Sequence, residues 1–379
     1  MLDGGLDRLN WFDGVTRRGH WFILRWQEPE KLVGEFEVNP LASPLYPDLG
    51  NCQLSRFHRR QELSPRNLAG AAGRTIAFYY GLQLVPADNV LYTGPVRVVF
   101  SCENTKYHWW QAEFLRYNYV QAGMHEELTA LVAATEEPEI QFTCNSIRVA
   151  NYKDSVPNAP LLVLNKPGGI AEWAALDGPG DETVLIVDPD SMFVRPVIDP
   201  GPLTAGHAYS EEHDYMCVDI PGNRTVIDRH CRQEVRARVQ PVGIYVCINR
   251  ACLAELARCW LQKSIEIAAD PVCREALSGT GWLSDMWGYA IAAAELGIHH
   301  DLIGFSQVTG SNSLEKPITH YCFPLMENRN DYWMKDTQKP ILWSKWTYRP
   351  WENPPDFAGT TVEGELLLER LREFVTSRD

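Results

Sequence analysis

Thr183-Val184-Leu185-Ile186-Val187 is an unbroken run of β-branched and aliphatic residues that stops on two carboxylates, Asp188 and Asp190, either side of Pro189. A short apolar run with no polar alternation reads as a strand covered on both faces, and such strands belong to parallel sheets. The chain must therefore supply covering layers on both sides of a sheet. From residue 96 it does so. A strand at 96–101 ends in the polar loop Cys102-Glu103-Asn104-Thr105, and Trp110, Phe114 and Tyr117 then recur at helical spacing up to Gly123. The pattern continues with a helix at 125–134, strands at 139–144 and 161–164, a loop at 165–169 and a helix through Trp173. After the central run come a strand at 242–248 and a helix carrying Leu253, Leu256 and Trp260. A further helix is capped by Ser284, has Asp285 in its first turn and stops at Gly297. This alternation predicts an α/β fold, a Rossmann-type, mostly parallel sheet flanked by helices.

Residues 1–95 show no such pattern and read as an extension packed on the core: a strand near His20–Trp26, an irregular Pro-rich loop at 40–51, and local positive charge at Arg59 and Arg60. The last region, 326–379, is rich in Trp and Pro. It ends in an amphipathic helix at 361–375 whose apolar face carries Leu367, Leu368, Leu371 and Phe374.

A net charge of −14 argues against a nucleic-acid partner, whose footprint is basic. It leaves an anionic nucleotide possible, because a cation can bridge two negative groups. The ten cysteines include no C-x-x-C pair and read as free, mostly buried thiols. The start of the sequence has no apolar signal core, and no apolar run approaches a membrane span. The expectation is a soluble, cytoplasmic chain without a membrane segment, with a truncated Golgi-type enzyme as the alternative.

Ligands of open α/β sheets sit beyond the carboxyl ends of the strands, where Asp188 and Asp190 fall. Residues i and i+2 of an extended segment point the same way, so two like charges there call for a cation between them. Mg²⁺ or Mn²⁺ shared with a diphosphate fits that need; a solvated turn is the structural alternative. Lys166, in a loop after a strand, could neutralise a diphosphate. His320 could complete the metal set, and Asp285 could orient an acceptor or stabilise a cationic transition state. Each also has a plainer reading: a surface charge, a core histidine, a helix-end carboxylate. Ser101 and Asn165 are candidates for hydrogen bonds to a nucleotide.

Asn165-Lys166-Pro167-Gly168, a Trp-containing helix and Val184-Leu185-Ile186-Val187-Asp188-Pro189-Asp190-Ser191-Met192 together resemble the hydroxyproline O-arabinosyltransferases and the related peptidyl serine α-galactosyltransferases. Gly281-Trp282-Leu283-Ser284-Asp285-Met286-Trp287-Gly288-Tyr289 is similar to a second block of that family, and Trp110-Gln111 and His320-Tyr321 also match. The resemblance covers about 96–325 and implies a GT-A-type domain there. It further implies a UDP-sugar donor, a divalent metal at Asp188, Asp190 and His320, transfer with retention, and a hydroxyl acceptor on a peptide or small molecule. Members of the family it resembles commonly carry Glu where this chain has Asp285. A sugar-nucleotide nucleotidyltransferase and a non-catalytic sugar-binding module are the alternatives. The first lacks its Gly-rich phosphate loop here, since Ser101-Cys102-Glu103-Asn104 is not one.

Overall fold

The computed structural model describes residues 96–377 except 125, 137–139, 158, 179, 198–202, 278–280, 310, 312, 327–340, 350, 353 and 355–359. Before residue 96 it describes five strands, β1 (Trp11–Thr16), β2 (Gly19–Arg25), β3 (Leu32–Gly34), β4 (Gln61–Leu63) and β5 (Leu82–Val85). The chain divides into two units, one of residues 1–93 with 199–201 and one of the remainder. In the first, β2 pairs antiparallel with β1 and parallel with β5, and β3 and β4 form an antiparallel pair. The strand expected near residue 20 is β2. The loop at 40–51 and Arg59 and Arg60 lie outside the described residues.

The larger unit is built on a seven-stranded sheet. Its strands are β6 (Val96–Glu103), β7 (Leu128–Ala133), β8 (Asn145–Val149), β9 (Thr183–Val187), β11 (His207–Glu212), β12 (Val242–Asn249) and β13 (His299–Leu302). β10 (Ser191–Phe193) belongs to a smaller sheet. The large sheet runs β13-β11-β12-β9-β6-β7-β8. β12 is antiparallel to both its neighbours, and the other pairings are parallel. The fold class is therefore the expected one, α/β with a mostly parallel sheet.

All five residues of β9 are buried, and the pleat explains why the four after Thr183 are all aliphatic. Val184 and Ile186 pack into one core, whereas Leu185 and Val187 pack into the core on the opposite face. The first core is closed by α2 (Asn165–Asp177), α4 (Leu253–Ala269) and α6 (Ser284–Leu296), through Trp173, Leu256, Trp260 and Trp287 among others. The second is closed by α1 (Lys106–Gln121), through Ala112, Leu115 and Tyr119. Between α2 and α4 the chain forms α3 (Pro221–His230), and between α4 and α6 it forms α5 (Pro271–Ala276). The expected stops hold: Gly123 and Gly297 follow α1 and α6 at φ +80° and +74°, where a side chain would be strained.

Four local expectations are corrected. The segment 125–134, read as a helix, contains strand β7. All six of its residues are buried, as befits an interior strand between β6 and β8, and a run apolar on both faces carries no period. The strand expected at 139–144 is instead β8, an edge strand whose exposed Asn145, Ser146 and Arg148 hide it from a hydrophobicity pattern. Residues Leu162–Leu164 form a 3₁₀ turn rather than a strand, and α2 starts at once on Asn165. Pro167 fits there because the first helical turn needs no intrahelical N–H donor. Finally, the residue at the cap position of α6 is Leu283; Ser284 is the first helical residue, and its buried hydroxyl has no partner.

α4 and α6 pack tightly against each other because position 288 is glycine. A Cβ there would lie 2.8 Å from Ser264 N and 3.0 Å from Ser264 Cα, with the Ser264 hydroxyl closer still. Gly288→Ala should destabilise the fold by about 1–3 kcal/mol, because backbone rather than a flexible side-chain end is in the way. Urea denaturation reads this directly, and an unchanged midpoint would mean the two helices can slide apart.

The smaller sheet runs β10-β15-β14, with β14 (Ser306–Val308) and β15 (Ile318–His320). β16 (Leu325–Met326) and β17 (Ile341–Trp343) pair with each other, and the terminal helix, expected at 361–375, is α7 (Val362–Thr376). A third core joins these pieces to α1: Trp110, Phe114, Tyr321, Leu325, Trp343, Leu367, Leu368, Leu371 and Phe374. Among the described residues no helix is long and apolar enough to cross a membrane. The nine cysteines among them are free thiols.

Candidate active site

β6, β9, β11 and β13 all run in one direction, so their carboxyl ends share one edge of the sheet. Asp188 follows β9 immediately. The turn Asp188-Pro189-Asp190 then leads into β10, and β10 pairs antiparallel with β15 so that Ser191 faces His320. The turn is pinned from the aromatic core. Tyr321 N–H donates to Asp190 O at 3.1 Å, the Tyr321 hydroxyl donates to Pro189 O at 3.4 Å, and the Tyr321 ring stacks on Trp110 at 6.1 Å. Trp110, read from sequence as core, thus holds the turn through Tyr321.

Asp188, Asp190 and His320 come together, their potential ligand atoms all within 4.8 Å of one another. His320 Nε2 lies 3.1 Å from Asp190 Oδ2. The same carboxylate oxygen accepts from Lys345 Nζ, and Lys166 Nζ pairs with Asp188 Oδ1 at 2.5 Å. Each carboxylate thus has its own ammonium. Asp190 is only 6% exposed. Burial pushes its carboxyl up, but Lys345 and His320 outweigh that and hold it well below the usual carboxylate range. Burial pushes the Lys166 ammonium down, and Asp188, Asp285 and Asp190 more than reverse it, so Lys166 stays charged.

Asp285, in the first turn of α6, completes the group around Lys166. It is buried, and burial pushes its carboxyl up to about 6 against the pull of Lys166, with Asp188 adding to the rise. Trp260 Nε1 donates to its backbone carbonyl at 2.6 Å, which fixes the start of the helix. Lys166 itself lies in the first turn of α2, not in a loop, so a helix start aims it at the carboxylates.

The other two candidates stand differently. Ser101 lies inside β6, which continues to Glu103, one residue past Phe100, the partner of Val187 in the ladder. Asn165 is committed to the fold: its Oδ1 accepts from Tyr152 N–H at 2.6 Å and its Nδ2 donates to Glu103 Oε1 at 3.2 Å. Its amide ties the end of β6 to the loop after β8, which accounts for its presence without a ligand.

Sequence reasoning missed Lys345, between Trp343 and Trp346 in the irregular region after β17. It also missed His213 and Tyr215, whose rings stack at 5.0 Å just past the end of β11. Burial and the nearby His320 push the His213 imidazole down to about 4, so this ring is neutral beside a charged group. The signal available was Glu211-Glu212-His213-Asp214-Tyr215, a titratable cluster at the end of an unrecognised strand.

Two carboxylates and one imidazole on a shared focus are a donor set for a hard to borderline divalent cation. The two ammonium groups beside them suit a polyanionic ligand.

The family model for the hydroxyproline O-arabinosyltransferase family N-terminal domain matches residues 96–302, more than half of the chain. The chain belongs to that family. The match takes in Lys166, Asp188, Asp190 and Asp285; His320 and Lys345 lie beyond its end. Among curated members and relatives, the chain is similar to a peptidyl serine alpha-galactosyltransferase of Arabidopsis thaliana, at 28% identity over 230 residues. That alignment covers 57% of this chain and 28% of the relative. It is also similar to hydroxyproline O-arabinosyltransferase RDN2 of Medicago truncatula, at 23% identity, covering 60% of this chain and 64% of the relative. The chain thus spans less than two thirds of the length of either. Among solved structures it is similar to the galactosyltransferase LgtC in complex with donor and acceptor sugar analogs. The identity is 12% and the TM-score 0.39, over 74% of this chain and 96% of that one.

Proposed function

We propose that this family member is a metal-dependent glycosyltransferase of the GT-A type that moves a sugar from a UDP-sugar to a hydroxyl acceptor with retention at the anomeric carbon. The observation that carries the reading is the convergence of Asp188, Asp190 and His320 with Lys166 at the carboxyl end of the central strand. Asp188, Asp190 and His320 would hold Mn²⁺ or Mg²⁺, which when bound supplies charge stabilisation to the departing diphosphate. Lys166, kept charged by three carboxylates, and Lys345 supply fixed positive charge on the same side. Asp285 stands next to Lys166 in a site that raises its pKa, which suits a carboxyl that orients a sugar or acceptor hydroxyl. The relatives' names speak of serine and hydroxyproline, so a hydroxyl on a peptide is the acceptor class we assign; a small-molecule hydroxyl is the alternative.

Incubation with a panel of UDP-sugars and Mn²⁺ tests the reading. Slow UDP release that EDTA abolishes is the expected result. Pyrophosphate-dependent formation of UTP would instead identify a nucleotidyltransferase, and binding without turnover a sugar-binding module. NMR of the first-formed glycoside reads the anomeric configuration, and inversion would overturn the stereochemical part.

A further inference from the structure

A second cluster of metal-ligating side chains lies apart from the sheet edge, in the helical layer formed by α3, α4 and α5. Asp270 follows the last residue of α4 and caps α5: its Oδ1 accepts from Val272 N–H at 2.9 Å. Its other oxygen, Oδ2, is a meeting point. His230 Nε2, from the last residue of α3, lies 3.2 Å from it, and Cys273 Sγ, one turn along α5, lies 3.5 Å from it. The Asp-x-x-Cys spacing puts both groups on one side of α5. The three side chains are nearly closed off from solvent, with His230 at 13% and Asp270 at 10% exposure and Cys273 fully buried. A tetrahedral zinc ion, with ligand bonds of 2.0–2.3 Å, needs about 3.3 Å between oxygen and nitrogen ligands and about 3.5 Å between oxygen and sulfur. The two separations here are close to those edges.

We propose that His230, Asp270 and Cys273 form a structural site for a zinc-like divalent cation that staples α3 to α5. Imidazole, carboxylate and thiolate together select a borderline-soft ion over Mg²⁺ or Ca²⁺. On binding, Cys273 gives its proton to solvent and a sulfur–metal bond forms. Carboxylate and thiolate then balance the charge of the ion. Arg229, which pairs with Asp270 Oδ2 at 2.5 Å and is half exposed, is free to turn to solvent. Water would complete the coordination. In sequence α5 is followed by α6, whose first turn carries Asp285.

Cobalt is the probe of choice, because a thiolate bound to Co²⁺ gives a charge-transfer band in the near ultraviolet that carboxylate and imidazole ligands do not. The EDTA-treated full chain should take up one equivalent of Co²⁺ with that band, and Zn²⁺ should displace it and raise the melting temperature. His320→Asn should keep the band, Cys273→Ser should abolish it, and His230→Gln should weaken Co²⁺ binding by at least about tenfold. Should Cys273→Ser fail to fold, the affinity of His230→Gln decides the question alone. The proposal is overturned if no band appears. It is overturned equally by a band that survives Cys273→Ser and vanishes with His320→Asn, which would put the thiolate at the sheet edge. A melting temperature indifferent to Zn²⁺ would reduce the trio to a hydrogen-bonded helix cap.

Discussion

Asp190→Ala is expected to abolish sugar transfer, by a factor on the order of a thousand or more, and also to lower stability by about 3–5 kcal/mol. The second effect follows from what surrounds the carboxylate. Lys345 and His320 both converge on Asp190 Oδ2, and all three groups are largely buried. Removing the anion takes from two buried cationic groups the counter-charge they share. A loss of activity in this variant alone would therefore be ambiguous. The companion variant Asp190→Ala/Lys345→Met resolves it: with the ammonium gone, most of the lost stability should return while transfer stays absent. Urea denaturation and UDP release measure the two arms. Full activity in Asp190→Ala would sink the metal assignment, and a double variant no more stable than the single one would sink the electrostatic account.

Asp285→Asn should change how stability depends on pH. Burial raises the carboxyl of Asp285 from an ordinary 3.8 to about 6 in the folded chain. A group whose folded pKa is raised contributes stability that is fully present below its unfolded pKa, here near 4, and lost as pH rises through 6. Above that, the buried charge weighs about 3 kcal/mol against the fold. Asparagine cannot ionise. The variant should therefore be more stable than the parent at pH 8 by up to that amount and indistinguishable from it at pH 4, with transfer lost throughout. Denaturation midpoints between pH 4 and 8, taken in EDTA, trace the difference. A gap that does not change with pH would show that ionisation of Asp285 is not its cause.

The elements that the sequence made legible share one physical trait: their own residues state their surroundings. Thr183 to Val187 cannot be anything but doubly covered, and Gly123 and Gly297 mark helix ends because a left-handed residue is needed there. The misread segments lack such a statement. Leu128 to Ala133 is apolar apart from Thr129, which suits an inner strand and a buried helix alike, and β8 is an exposed edge strand. The site divides the same way. Lys166, Asp188 and Asp285 stand out as candidates in the sequence because each lies at the end of a regular element. Asn165 lies there too, but its amide is used up by Tyr152 and Glu103. Lys345 sits in an irregular stretch, and only the tertiary packing of Trp343 against Trp110 and Tyr321 carries it to Asp190. No local pattern encodes that.

The two groups that neutralise Asp190 lie 130 and 155 residues further along the chain. At a synthesis rate of about 5–20 residues per second, roughly 10–30 s separate the emergence of Asp190 from that of Lys345. Through most of that interval a nascent chain can already lay β9 beside β6, yet its aspartate has neither partner; His320 follows first and Lys345 25 residues later. The contacts that close the centre span long loops, and non-local contacts of that kind are slow to form. Assembly of the proposed centre is thus a late event in the life of each molecule, and unfinished chains can pair β6 with β9 before Asp190 meets its partners.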